Sequence, residues 1–132
     1  PRRRRSSASS VVVLSLISVL ILIILPNFVR AKARTRLSGC ESNLRNTATA
    51  LTMYSEENDQ HYPVMLTSLT PNYLKVIAKC PSALDNSCYT NGYTSATTPA
   101  NYTMSCTGVT HLDLSLPTGY PQYTLNGGLK EQ

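Results

Sequence analysis

The sequence predicts an α+β protein: one long N-terminal helix followed by a small head with an antiparallel β-sheet. Three observations predict it. Residues 11–25, VVVLSLISVLILIIL, hold no charge, glycine or proline, and only Ser15 and Ser18 interrupt the aliphatic run. From residue 37 to residue 54 apolar side chains recur at helical spacing. Beyond about residue 59 the chain turns polar, rich in tyrosine, threonine and proline, and carries segments with strand character. The helix is expected to be interrupted near Pro26, because proline removes an intrahelical donor and clashes with the preceding turn.

Residues 1–10 form a basic and polar leader, with arginine at positions 2, 3, 4 and 5. The run that follows presents aliphatic side chains on every side: Val11, Val12, Val13, Leu14, Leu16, Ile17, Val19, Leu20, Ile21, Leu22, Ile23, Ile24 and Leu25. As a helix the run spans only ~22 Å, short of a ~30 Å hydrocarbon core. Adding the small polar residues 6–10 gives a helix long enough to cross. A cleaved secretory signal shares the basic and apolar regions, but Pro-Asn-Phe-Val-Arg follows the run instead of a small-x-small cleavage site.

Residues 26–60 read as an amphipathic helix packed on the head. Leu37, Cys40, Leu44, Ala48 (or Thr47), Leu51 and Tyr54 step by threes and fours along one face, the period of a core-facing helix. Ser42, Asn43, Arg45 and Asn46 occupy the other face, and the pattern fades in the polar run 55–60.

Residues 61–132 form the head. A turn-like connection, residues 66–76, leads to a polar loop at 82–87. Strand candidates follow at 89–95, 101–107 and 111–116, rich in β-branched and aromatic residues, and suggest a three-stranded meander. Residues 117–132 contain two prolines and three glycines and read as an extended strap of low regular content.

The net charge of +5 is divided unevenly. Residues 1–45 carry nine basic side chains against one acidic, and residues 46–132 carry three against six. A basic N-terminal half raises nucleic acid as a partner. Here the cations bracket a hydrocarbon segment, with Arg30, Lys32, Arg34 and Arg36 on its far side. That arrangement marks interfacial anchors on a membrane segment, and DNA binding is the weaker reading.

Cys40, Cys80, Cys88 and Cys106 show no C-x-x-C and no zinc spacing, and neither His61 nor His111 lies in a cysteine pattern. No metal, cofactor or catalytic residue is expected. Disulfides are the expected use of an even count in a small polar head behind a membrane segment. Four cysteines allow three pairings. Cys80 with Cys106 is the first choice, because it staples the post-helix loop to the meander and closing that loop contributes ~3 kcal/mol. Cys40 with Cys88 would then join helix to head, or both would remain unbridged. Asn101-Tyr-Thr103 fits the N-glycosylation sequon and makes Asn101 a modification candidate.

The order of pieces is the most specific signal. The apolar run is followed by Pro-Asn-Phe-Val-Arg-Ala-Lys-Ala-Arg, then Leu-Ser-Gly-Cys-Glu-Ser-Asn-Leu-Arg-Asn, then Ala-Leu-Thr-Met-Tyr. His61-Tyr-Pro, Leu69-Thr-Pro-Asn-Tyr-Leu-Lys75, Cys80-Pro-Ser and Tyr102-Thr-Met-Ser-Cys106 come after. Together, over residues 16–106, these resemble bacterial type IV pilins and type II secretion pseudopilins.

The resemblance implies a type IV pilin-like fold and a structural, non-enzymatic subunit. Such a subunit is held in the inner membrane before assembly and polymerises through its N-terminal helix into an extracellular filament. Its partners would be copies of itself and the pilus or secretion assembly machinery, with Arg30, Lys32, Arg34 and Arg36 meeting acidic groups of neighbouring subunits. A minor pilin or pseudopilin, and a membrane-anchored extracytoplasmic binding module, are the alternatives. The N-terminal residues depart from the family pattern: no Gly-Phe junction occurs, and no acidic residue precedes Glu41. Ser9 or Ser10 is expected to offer a neutral hydrogen bond where the family's glutamate meets a neighbour's amine.

Overall fold

The computed structural model describes residues 6–83, 85–98, 100–107 and 114–130. The fold is α+β, a long N-terminal helix followed by a small four-stranded antiparallel sheet. Helix α1 runs Ser6–Glu57 and contains Pro26 without a break in the helical assignment. The expected interruption near Pro26 is therefore corrected. Proline removes one backbone hydrogen bond, whereas the aliphatic turns before it and the glycine-poor turns after it continue to favour helix. The chain divides into two compact units, Pro1–Lys32 and Ala33–Gln132.

In the first unit the helix is apolar all round from Val11 to Leu25, with Ser15 and Ser18 the exceptions. Ser15 and Ser18 fit this setting because each hydroxyl donates to its own helix, Ser15 Oγ to Val12 O and Ser18 Oγ to Ser15 O, both at 2.8 Å. Neither of these two hydroxyl donors is left unsatisfied on the apolar surface.

In the second unit α1 supplies one wall of a core. Cys40, Leu44, Thr47, Ala48, Ala50, Leu51 and Ser55 are buried, while Leu37 and Tyr54 are half-buried. The predicted stripe is thus the buried face, broadened by Thr47 and Ala50. Thr47 fits an apolar wall because its hydroxyl donates to Asn43 O at 2.9 Å. The helix stops as Asp59 and Gln60 take positive φ, 51° and 62°. Gln60 N then donates to Ser55 O at 2.8 Å, the wider bond of a Schellman ending.

A 3-10 turn at Leu66–Leu69 buries both of its leucines, and Ile77 and Cys80 follow into the core. Residues 89–91, expected as the start of a strand, belong instead to a short helix, α2, Ser87–Asn91. Asp85 folds the chain into it: one carboxylate oxygen accepts from Asn86 N at 2.6 Å and the other from the Ser87 hydroxyl.

The sheet has the order β1-β2-β3-β4, all antiparallel, with β1 Tyr93–Thr97, β2 Ala100–Ser105, β3 Gln122–Thr124 and β4 Gly128–Lys130. The first two strands match two of the predicted ones to within a few residues. The third differs: residues 111–113 lie outside the described residues, and 114–116 are not strand. The segment read as an extended strap of low regular content contains β3 and β4. These strands are three residues each, too short for alternation to show. The glycines that suggested irregularity make the hairpin turn, with Gly128 at φ 63°.

Tyr93 and Met104 face each other in register, and both are buried together with Tyr102. Tyr102 meets Tyr62 edge-on at 4.8 Å and stacks with Tyr123 at 6.4 Å, so much of the core around the sheet is aromatic. Tyr93 satisfies its hydroxyl by donating to Pro63 O at 2.7 Å.

Candidate functional site

Two places concentrate chemistry, one on the surface of the first unit and one in the core of the second. On the first unit, residues 11–25 make a continuous apolar surface. Each aliphatic side chain from Val11 to Leu25 is between 45% and 72% exposed. An 18-residue window of this helix has a mean hydropathy of 2.8, and none of it is buried within the chain. The helix is long and apolar enough to cross a membrane.

The surface does not stop at Pro26. Phe28 and Val29 are 65% and 64% exposed and extend it by another turn. The sequence reading ended the run at the proline; the signal that reaches further is hydropathy carried across Pro26 on one unbroken helix.

Arg30, Lys32, Arg34 and Arg36 are all exposed. Arg30 and Lys32 belong to the first unit and Arg34 and Arg36 to the second. At about 100° per residue the two cations of each pair lie on nearly opposite sides of their own helical turn, so neither pair forms a stripe along one face.

In the second unit the cysteines converge. Cys40, Cys80 and Cys106 are each fully buried, and their sulfurs lie within 4.8 Å of one another. Among the described residues this is the one group of three or more histidine, cysteine or acidic side chains arranged to hold a metal. The favoured pair is adjacent, Cys106 Sγ being 3.7 Å from Cys80 Sγ, and all four cysteines are present as thiols. Cys88 is also buried and its thiol donates to Asp85 O at 3.7 Å, but its sulfur does not lie within 4.8 Å of all three others.

Each thiol is placed by a different element. Cys40 comes from α1, beside Gly39, where a Cβ would stand 3.0 Å from Pro81 Cγ; the missing side chain lets the Cys80 loop approach the helix. The backbone N–H of Cys80 donates to Asp85 O at 2.8 Å. Cys106 follows β2, and its N–H donates to Pro121 O at 3.2 Å. Thr107 fixes Cys88 by donating both N–H and hydroxyl to the Cys88 carbonyl.

Tyr89 donates its hydroxyl to Cys40 Sγ at 3.2 Å and accepts from Asn43 Nδ2 at 3.3 Å. Asn43 Nδ2 also donates to Lys79 O at 3.0 Å, tying α1 to the segment that leads into Cys80. The electrostatics single out Cys80. The neighbouring thiols of Cys106 and Cys40 push its pKa well down, helped by backbone N–H groups of Ala83 and Ser82 and opposed by burial. Cys40 is pushed up by Cys106, Cys80 and burial, and Cys88 chiefly by burial.

The remaining candidates stand apart. Asn101 lies half-buried on β2, and its Oδ1 accepts from Tyr102 N at 2.8 Å. His61 is exposed, with Nδ1 2.8 Å from Asp59 O, and His111 lies outside the described residues. No family model, curated protein or solved structure matches the chain.

Proposed function

We propose that the chain is a structural subunit that polymerises into an extracellular type IV pilus-like filament through its N-terminal helix. The observation that carries this reading is the all-round exposure of residues 11–25 on a helix that continues, unbroken, as the buried wall of a folded unit. An aliphatic surface of that extent is unfavourable in water by ~25 cal/mol per Å². It needs cover from outside the chain, lipid before assembly and copies of the same segment afterwards. The resemblance in the order of motifs over residues 16–106 and the α+β layout of a long helix with a small antiparallel sheet support the same reading.

In this account the inner membrane holds the segment first, with the N-terminal arginines on the cytoplasmic side. The assembly machinery then exchanges lipid for neighbouring subunits. Close packing of Val, Ile and Leu supplies the cohesion, and Arg30, Lys32, Arg34 and Arg36 meet acidic groups on adjacent copies. The subunit has no catalytic task.

Shearing cells and imaging the released material tests the proposal. Helical fibres containing this chain are expected. Retention of all the chain as membrane-bound monomer would favour the anchored binding module instead, and recovery of only trace amounts in fibres built of another subunit would favour a minor pilin or pseudopilin. Salt-sensitive DNA binding would be the mark of a competence-type role.

A further inference from the structure

The structure brings together what the cysteine spacing gave no reason to expect: residues 40, 80 and 106 meet at one point in a fully buried core. A disulfide occupies only two of the three clustered sulfurs and would leave Cys40 to pair with Cys88, which stands outside the cluster. A metal ion takes all three at once. With Zn–S bonds of about 2.3 Å, a tetrahedral thiolate site places its sulfurs roughly 3.8 Å apart. The Cys80–Cys106 separation of 3.7 Å already matches that edge, and Cys40 lies within 4.8 Å of both.

We propose that Cys40, Cys80 and Cys106 form a structural zinc site, and that the buried Cys88, which stands outside their group, closes in on the ion as its fourth ligand. Sulfur donors select a soft or borderline ion over calcium or magnesium, and a closed four-thiolate set leaves no open position for catalysis. Binding replaces S–H bonds with metal–sulfur bonds, and the displaced thiol protons pass to solvent. Affinity therefore rises with pH.

Four thiolates around a divalent ion leave a net negative charge in the core, which needs donors around it. The Tyr89 hydroxyl, which donates to Cys40 Sγ at 3.2 Å, is one such donor. The fit is also one of connectivity. The ligands come from α1, the loop after it, α2 and the end of β2, so one ion would clamp four elements that otherwise meet through a small core. The inference is independent of filament assembly, since every ligand belongs to the second unit.

The test is metal binding by the full chain in detergent micelles, isolated anaerobically without chelator, with Co(II) as the spectroscopic probe for zinc. The expected result is isolation with all four cysteines as thiols, one Co(II) per chain, and the intense visible bands and thiolate charge transfer of tetrahedral sulfur coordination. Cys88→Ser is expected to weaken the thiolate charge transfer while far-UV circular dichroism shows the chain still folded. Tyr89→Phe should weaken affinity ~10–100-fold and leave the spectrum tetrahedral, as removal of an outer-shell donor does. Isolation with the cysteines as disulfides, or thiols that give no tetrahedral spectrum, would overturn the site. The wild-type measurement decides the question even if a serine variant fails to fold.

Discussion

Leu22 and Leu44 are the same residue on the same helix, and they live in different solvents. Leu22 is 72% exposed and Leu44 is fully buried. The contrast holds for the segments around them. From residue 11 to residue 25 α1 is apolar on every side and is not covered by any of the described residues; from residue 40 to residue 55 it is apolar on one face, which the described residues cover. One stretch of helix is covered on folding and the other stays exposed, and composition tells them apart. A one-sided stripe asks for one partner surface. An all-round apolar surface asks for a medium, which lipid or a bundle of like helices supplies.

The sharpest way to break the contrast is a charge in the middle of the outer-facing segment. Leu20→Arg should abolish filaments and reduce membrane retention, because an arginine at a bilayer centre costs about 2.5–3.5 kcal/mol on insertion scales. The unfolding transition of the second unit should not move. Fibre yield after shearing, measured with the thermal transition in detergent, reads both.

A matched pair of truncations comes next. Leu44→Ala should destabilise the second unit by ~2–5 kcal/mol, the usual cost of a buried leucine. Leu22→Ala should change it by less than ~0.5 kcal/mol, as substitutions outside a core do. Denaturant titration of both variants checks the pair, and equal effects would erase the distinction between the two stretches.

Alkaline pH should also act on one region alone. Burial pushes Tyr93 up to about 12 from an ordinary 10 and raises Tyr89 and Tyr102 as well. A raised folded pKa means that the unfolded chain loses the proton first. The stabilisation is therefore complete below pH 10 and is lost as pH rises toward 12. For Tyr93 two pKa steps correspond to ~2.7 kcal/mol. Residues 11–25 contain no titratable side chain. Near-UV circular dichroism should report loss of tertiary structure across that window while helix in the apolar segment persists in detergent.

A smaller effect is expected at Gly92, where a Cβ would stand 2.0 Å from Ser105 O. Ser105 N donates to Gly92 O at 3.0 Å, so the two backbones run in contact between α2 and β1. Gly92→Ala should cost ~1–3 kcal/mol by overpacking, and the thermal midpoint of the variant checks it.

These contrasts also explain what was legible in the sequence. Periodicity is a property of neighbouring residues, so α1, its buried stripe and the strands β1 and β2 could be read directly. The hairpin of β3 and β4 could not, because three-residue strands are too short to alternate and Gly127-Gly128 looks the same in a turn as in an irregular strap. Pro26 misled in the opposite direction: its local cost is real, but long helical stretches on either side outweigh one lost hydrogen bond. The thiol cluster was legible only in part: Cys80 beside Cys106 was the first choice, but Cys40 joining them was not foreseen. Its members are separated by 40 and 26 residues, and only the fold of the second unit brings them to one point.

The measurement that bears most directly on the two-region account is sedimentation of a chain lacking residues 1–32, in detergent-free buffer, beside the full-length protein. The account predicts that the shortened chain is a soluble, folded monomer, while the full chain stays dispersed only with detergent or lipid and otherwise assembles. A shortened chain that aggregates or is unfolded, or a full chain that remains monomeric in plain buffer, would contradict it.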